Sequence, residues 1–393
     1  MPKVDLANYD GREQAFVKHS LLEQYLPELA YRVGKTWDAF VYVDGFAGPW
    51  KTNNPDYSDS SFGVAVAAIS RCQAGLQERY GRKIAMKCIL VEHDKVAFAE
   101  LKRFAESETV AGFDVHALQG EFVKQIPTVD QLIKADSQNP FKFVLLDPTG
   151  WAQIPMDELK SFLHERSSEV LVNLMTRDIN RFLDQPTRSD SYRRLFGRPG
   201  VLEILQNTAP ENRAEQAVVE YSKSLRLLCG FKFISSAVVL EPNKESIRYF
   251  LVYATNHERG IEVFKTAEMK AARIQDYIRH QARIHKTGQP PLMFDPDPPK
   301  SKKALDLYNR FADNARNRVK TMLADSKHRG GVRYKDLFCE AMFFPLVTPN
   351  DLVEWLRELE PNVRVDFAGI PSKKKPKPSE DYRVVVLNPK ALQ

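Results

Sequence analysis

The chain predicts an α/β fold: a mostly parallel seven-stranded sheet ending in an antiparallel hairpin, followed by a small helical C-terminal domain. Three observations carry this reading. Short apolar, strand-like runs alternate with helical patterns over the first three quarters of the 393 residues. The last two runs are separated only by Glu241-Pro-Asn-Lys-Glu-Ser246, too short a connection for a crossover helix. A proline-dense stretch, Gln289–Lys303, excludes helix and sheet interior and reads as an extended linker. The expected units are therefore residues 1–288, a linker over 289–303, and residues 304–393.

Taken in order, the strands are expected at Ala39–Val43, Met86–Glu92, Phe113–Leu118, Phe141–Asp147, Glu169–Leu174, Phe231–Leu240 and Arg248–Thr255. Helical patterns fall between them near Phe62–Tyr80, Lys95–Ser107, Val129–Ala135 and Met156–Glu165. Five alternating strands closed by a hairpin give a Rossmann-like sheet in the class I methyltransferase layout. Beyond the linker, Ala304, Tyr308, Phe311, Ala315, Val319 and Met322 keep helical spacing. A second helix is expected at Tyr334–Phe343. A third begins at Thr348-Pro-Asn-Asp351, with Thr348 as cap, Pro349 at the first position and Asp351 facing the dipole. The β-rich runs Val363–Ile370 and Tyr382–Leu387 complete a winged helix-turn-helix.

Composition narrows the function classes. The chain is 43% hydrophobic and 27% charged, an ordinary globular balance. No apolar run approaches the ~20 residues of a membrane span, and the N-terminal residues show no signal-peptide pattern, so a cytoplasmic protein is expected. Cys72, Cys88, Cys229 and Cys339 lie far apart and read as reduced thiols, and no metal-ligand set is present. Of 57 basic and 51 acidic residues, 19 and 12 lie from Lys300 onward. The basic excess is therefore C-terminal, where it points to an acidic partner such as nucleic acid.

Two strand ends carry the chemistry. Asp44-Gly-Phe-Ala-Gly48 stands where a strand hands over to a helix, the place where open α/β sheets bind nucleotides. Gly45 and Gly48 provide the turn and close approach, Phe46 lies between them, and Asp44 is positioned to accept from an ammonium group. Glu92 ends the next strand, where an acidic side chain grips ribose hydroxyls. Gly120 and Glu121 follow the third strand, at the adenine position or in an ordinary loop. These residues read as a site for S-adenosylmethionine (SAM). Asp147-Pro-Thr-Gly-Trp151 comes after the fourth strand. Asp147 and Pro148 would orient an amino acceptor and take up its protons, with Trp151 stacking on a flat substrate. Asn173 faces the same cleft or caps the next segment. Lys18-His19 lie on an N-terminal helix able to cover the cofactor, with His19 expected on a solvated face. Thr255-Asn256-His257 closes the last central strand as a turn.

As a set, these residues resemble the three-Cys-motif partner (TcmP) family. The matching features are Lys18-His19 before Leu26, Tyr42-Val-Asp44-Gly-Phe-Ala-Gly48, Glu92, Asp147-Pro148-x-Gly150, and Tyr253-Ala-Thr-Asn-His257 with Met269 beyond it. They cover roughly the first 275 residues in order. The resemblance implies a methyltransferase-like domain, a C-terminal winged helix and a radical-SAM-type partner protein. Trp50 stands where the family usually has glycine, the segment Lys51–Asp59 is long and polar, and Thr149 replaces a proline of the amino-methyltransferase turn Asp-Pro-Pro-Tyr.

The expected function is methyl transfer from SAM to nucleic acid or a nucleobase-like acceptor. The alternative is a methyltransferase-fold scaffold without turnover, favoured by Trp50 and Thr149. Within the C-terminal domain, the third helix carries Asp351, Glu354, Glu358 and Glu360 against Arg357 alone, which phosphates would repel. Nucleic acid contact is therefore expected through Lys373, Lys374, Lys375 and Lys377 of the wing, beside Arg310, Arg316, Arg318 and Lys320 of the first helix. The bland alternative is a solubilising lysine loop on a protein-binding domain.

Overall fold

The computed structural model describes residues 9–387 apart from 49–51, 53, 111, 136, 138, 165–166, 287–297, 326–330, 360–362, 367–375 and 381. Strands β1 (Ala39–Asp44), β2 (Ala85–Glu92), β3 (Phe113–Gln119), β4 (Phe141–Leu146), β5 (Ser168–Leu174), β6 (Phe233–Leu240) and β7 (Ile247–Thr255) form one sheet. Its order is β3-β2-β1-β4-β5-β7-β6. The first five strands are parallel, while β7 runs antiparallel to both β5 and β6. β1 pairs with β2 on one side and β4 on the other, so strand order reverses there. A crevice outside the carboxyl ends of the strands at such a reversal is where open α/β sheets take their ligands.

Alternate residues of each strand feed two apolar layers, because side chains point to opposite faces with period two. Phe40, Tyr42, Cys88, Leu90, Phe143 and Leu145 join one layer, and Val41, Val43, Ile89, Val91, Val144 and Leu146 the other. The first layer is covered by α1 (Glu13–Thr36), α2 (Ser61–Tyr80), α3 (Lys95–Glu108) and α10 (Glu258–Lys286). The second is covered by α4 (Phe122–Lys134), α5 (Met156–Leu163), α6 (Thr176–Phe182), α7 (Ser189–Phe196), α8 (Val201–Gln206) and α9 (Arg213–Cys229).

The structure differs from the sequence reading in several elements. α4 starts two turns earlier than the run expected after Pro127. A proline ordinarily ends a helix, but Phe122, Val129 and Ile133 are buried along one face and hold the helix through it. The four helices of 176–229 were not anticipated, although Ala217, Val218, Tyr221 and Leu225 of α9 keep a buried helical spacing. α5 stops at Leu163, and β4 stops one residue before Asp147.

The C-terminal part comprises α11 (Lys302–Ala324), β8 (Val332–Arg333), α12 (Tyr334–Met342), α13 (Pro349–Glu358), β9 (Val363–Asp366) and β10 (Arg383–Val386). The small strands form a sheet in the order β8-β10-β9, with β10 antiparallel to both neighbours. At α13 the Thr348 hydroxyl accepts from Asp351 N–H at 3.4 Å, and the Asp351 carboxylate accepts from Thr348 N–H at 2.7 Å, a reciprocal cap. Most of the expected linker lies outside the described residues.

This part is seated on the large sheet. Ser235 and Ser236 of β6 donate through their hydroxyls to the Met342 and Phe343 carbonyls at 2.7 and 2.8 Å. The buried Lys265–Glu268 pair of α10, at 2.9 Å, reaches the same segment. Lys265 donates to the Phe344 carbonyl at 2.6 Å, and Glu268 accepts from Leu346 N–H at 2.8 Å.

Candidate active site

Asp44, Asp147 and Asn173 end neighbouring central strands, or come directly after them, on the face covered by α1. The same alternation that buries Tyr42, Leu145 and Leu171 in that layer places these three polar residues at its carboxyl-end margin. α1 crosses this margin with Lys18 and His19, both buried rather than solvated.

Asp147 is gripped from two sides. Lys18 Nζ forms an ion pair with its Oδ2, and Asn173 Nδ2 donates to its Oδ1 at 2.7 Å. Asn173 Oδ1 is buried and has no hydrogen-bond partner among the described residues. An unfilled acceptor at such a position is what an N–H of an acceptor group would satisfy. Pro148 is buried behind the turn, which closes as Gly150 N–H donates to Gln153 Oε1 at 2.9 Å. Thr149, in place of proline, is exposed and its hydroxyl joins the same Gln153 oxygen at 3.2 Å.

Trp151 departs from its expected role. It is only 5% exposed and its ring lies 4.6 Å from that of Tyr192 on α7, inside the second apolar layer. It anchors the turn to the helical insert instead of offering a face to substrate.

Asp44 is fully buried. Its Oδ1 accepts from Phe46 N–H at 3.0 Å, and its Oδ2 accepts from the hydroxyls of Ser61 at 2.9 Å and Tyr42 at 3.3 Å. The expected direct grip on an ammonium is thus replaced by control of the loop from beneath: Asp44 ties the turn to the start of α2. Burial pushes its carboxyl up to about 6, opposed by the Phe46 and Ser61 hydrogen bonds. Gly45 has a packing reason of its own, since a Cβ there would come 2.9 Å from the Phe122 ring. Phe46 in turn packs on Phe122 with centroids 6.2 Å apart. Gly48 ends the described part of the loop, and Trp50 lies outside the described residues.

Glu92 ends β2 and is 5% exposed; its Oε1 accepts from Asp94 N–H at 2.5 Å. Oε2 has no partner among the described residues, which leaves it available to a diol. Gly120 joins this strand end, its N–H donating to the Glu92 carbonyl at 2.9 Å at φ +139°, where a side chain is strained. Glu121 is not part of this constellation. It is exposed and pairs with Lys124 at 2.9 Å, which lowers its carboxyl below the ordinary value.

Sequence reasoning passed over Tyr9 and Ser61, and quoted Tyr42 without a role. The Tyr9 hydroxyl meets His19 Nδ1 at 2.9 Å, and burial, with Lys18 and Arg12 nearby, holds His19 well below its ordinary pKa and therefore neutral. Tyr42 could have been found from its place two residues before Asp44 on one strand face.

Three arginines of the first helix of the basic C-terminal part are paired within the chain. Arg310 pairs with Glu215, Arg316 with Glu358, and Arg318 with Glu340 at 3.1 Å. Lys373, Lys374 and Lys375 lie outside the described residues, while Lys377 is exposed. No cluster of metal-ligating side chains occurs among the described residues, and no described helix is long and apolar enough to cross a membrane.

No family model matches the chain, and no curated protein matches it. Among solved structures it is similar to a Legionella pneumophila protein assigned to the family model DUF519, at 10% identity and TM-score 0.34, covering 65% of this chain and 86% of that one. It is also similar to the O-methyltransferase TomG from Streptomyces achromogenes in complex with SAM, at 11% identity and TM-score 0.31, covering 60% and 79%. A third is loganic acid methyltransferase with SAH, at 8% identity and TM-score 0.28, covering 72% and 90%. Likeness at this level bears on neither activity nor substrate.

Proposed function

We propose that this chain is a SAM-dependent methyltransferase whose acceptor is an amino group of a nucleobase. The observation that supports it most is the placement of Glu92 and Asp147, two acidic strand ends on either side of the β1/β4 reversal, with the Asp44-organised loop between them. The sheet order, with β7 reversed between β5 and β6, supports the class I methyltransferase reading. Glu92 Oε2 suits a ribose hydroxyl, and the Asp44–Phe46 turn presents the loop for a methionyl group.

When bound, SAM supplies an electrophilic methyl group. The chain's own residues do the rest. Asn173 Oδ1 accepts one N–H of the acceptor amine and so fixes its direction. Asp147, held in place by Lys18 and Asn173, favours the positive charge that grows on the nitrogen and takes up its proton. The N-terminal helix covers this margin with the buried Lys18 and His19.

The test is transfer of labelled methyl from SAM to nucleic acid and nucleoside acceptors. Asp147→Ala is expected to abolish transfer, a loss on the order of 10²-fold or more, with SAM affinity nearly unchanged. Loss of SAM binding in that variant would move Asp147 into the cofactor site and remove it from the acceptor side. The competing scaffold reading draws on Lys18, whose ion pair occupies the acceptor carboxylate. It is selected if SAM binds and no acceptor is methylated.

A further inference from the structure

The helical insert after β5 leaves the sheet at the carboxyl end, three residues beyond Asn173. On it, the guanidinium of Arg181 lies 5.2 Å, and that of Arg188 5.5 Å, from the ring centre of Phe182. Both arginines are exposed. The neighbouring arginines of residues 176–194 already face carboxylates: Arg177 with Glu241 at 2.8 Å, Arg193 with Asp190, and Arg194 with Glu158. Arg181 and Arg188 make no ion pair among the described residues and are held on an aromatic ring instead. A guanidinium on a ring face keeps its N–H edge for planar, anionic oxygens and is already ordered when they arrive. Asp178 and Asp184 share the insert, so the basic character is confined to these two side chains.

This ledge is fixed to the acceptor turn. Trp151 of that turn packs on Tyr192, whose hydroxyl donates to the Ile179 carbonyl of α6. The buried Trp151 thus joins α6 and α7 rigidly to Asp147. The rival basic surface on α11 has three arginines neutralised by carboxylates of the same chain.

We propose that Arg181 and Arg188, seated on Phe182 in the insert that Trp151 and Tyr192 tie to the Asp147 turn, bind backbone phosphates of a single-stranded polynucleotide. This rests on the methyltransferase reading and names its substrate class: a strand whose acceptor base reaches Asp147 while flanking phosphates lie on the ledge. A single strand presents the reacting base already out of the stack, whereas a duplex would first have to give it up by flipping.

Fluorescence anisotropy of the full chain with labelled single-stranded RNA and DNA of about 20 nucleotides tests this, at about 50 and about 200 mM salt. Wild type is expected to bind at least one strand type, with affinity falling as salt rises. Arg181→Gln with Arg188→Gln is expected to lose about tenfold or more and to lessen the salt slope by about 1.4, the share of two phosphates. Arg181→Lys with Arg188→Lys should recover part of the affinity, and the single Gln variants replace the pair if the double variant does not fold. Replacing Lys373, Lys374, Lys375 and Lys377 by Ala should leave the ledge's contribution intact. Unchanged affinity and slope in the ledge variants would overturn the proposal, as would complete loss in the lysine variant. SAM titration of the same preparations separates the two readings. SAM binding without polynucleotide binding overturns the ledge alone; ledge-dependent polynucleotide binding without SAM binding overturns the methyltransferase reading and leaves the ledge.

Discussion

Asp44 shows how one buried carboxyl can be read wrongly in role yet rightly in place. Its position at the end of β1 follows from the apolar run before it and the Gly45 turn after it. Its full burial depends on α1 and α2 closing over it, which no local pattern reports. The consequence is a pH dependence with a definite sign. Burial raises its pKa from the ordinary 3.8 to about 6, so the folded chain holds this proton more tightly than the unfolded one. Asp44 therefore favours folding below about pH 4, and that contribution is lost as pH rises through about 6. The charged groups that act on it are Asp147, which raises the pKa, and Lys18, which lowers it. Other buried carboxyls titrate nearby, so the readout is a difference: thermal midpoints of wild type and Asp44→Asn between about pH 4 and 7. The variant should gain on wild type as pH rises; a constant gap would show that Asp44 is not shifted. Trp151 carries the complementary lesson. Its spacing after Asp147 is legible, but whether an indole faces substrate or core depends on Tyr192, far along the chain on α7.

At the scale of elements, strands were legible because apolar runs bounded by turns leave few alternatives, and every strand of the large sheet lies within two residues of its expected bounds. Helices were less so. α4 runs through Pro127 because burial of Phe122 on one side and Val129 and Ile133 on the other outweighs one lost hydrogen bond. α10 is long and polar, and part of that polarity is structural. Lys265 and Glu268, each with a side chain 2% exposed, form a buried ion pair and hold the segment after α12 by its backbone. There Leu346 adopts φ +64°, an unfavourable conformation for a leucine, and Glu268 takes its N–H. Removing one member leaves the other charge buried. Glu268→Ala is expected to cost about 3–5 kcal/mol by denaturant unfolding. The joint replacement of Lys265 and Glu268 by Met and Leu should cost much less. Equal losses in both variants would mean that the backbone contacts, not the unpaired charge, dominate.

Over the whole molecule, the reversal of strand order between β1 and β4 does most to place the site, and the sequence carries it only indirectly. Strand succession and the β6/β7 hairpin were readable; the neighbours of the parallel strands were not fixed by any local pattern, because their pairing is set by packing of helices that lie far away in the chain. The C-terminal part likewise read as a separate unit behind a proline-rich linker, yet Ser235, Ser236, Lys265 and Glu268 seat it on β6 and α10. The basic excess there was visible in composition, but the pairing of Arg310, Arg316 and Arg318 with Glu215, Glu358 and Glu340 needed three dimensions. Whether the strand ends at this reversal take SAM decides the functional assignment, and calorimetric titration of SAM into the full chain at neutral pH tests it most directly. Saturable one-site binding is expected, weakened in Glu92→Ala by roughly tenfold or more through loss of a hydrogen bond to a charged group. No heat of binding at millimolar SAM, or equal affinity in Glu92→Ala, would contradict it.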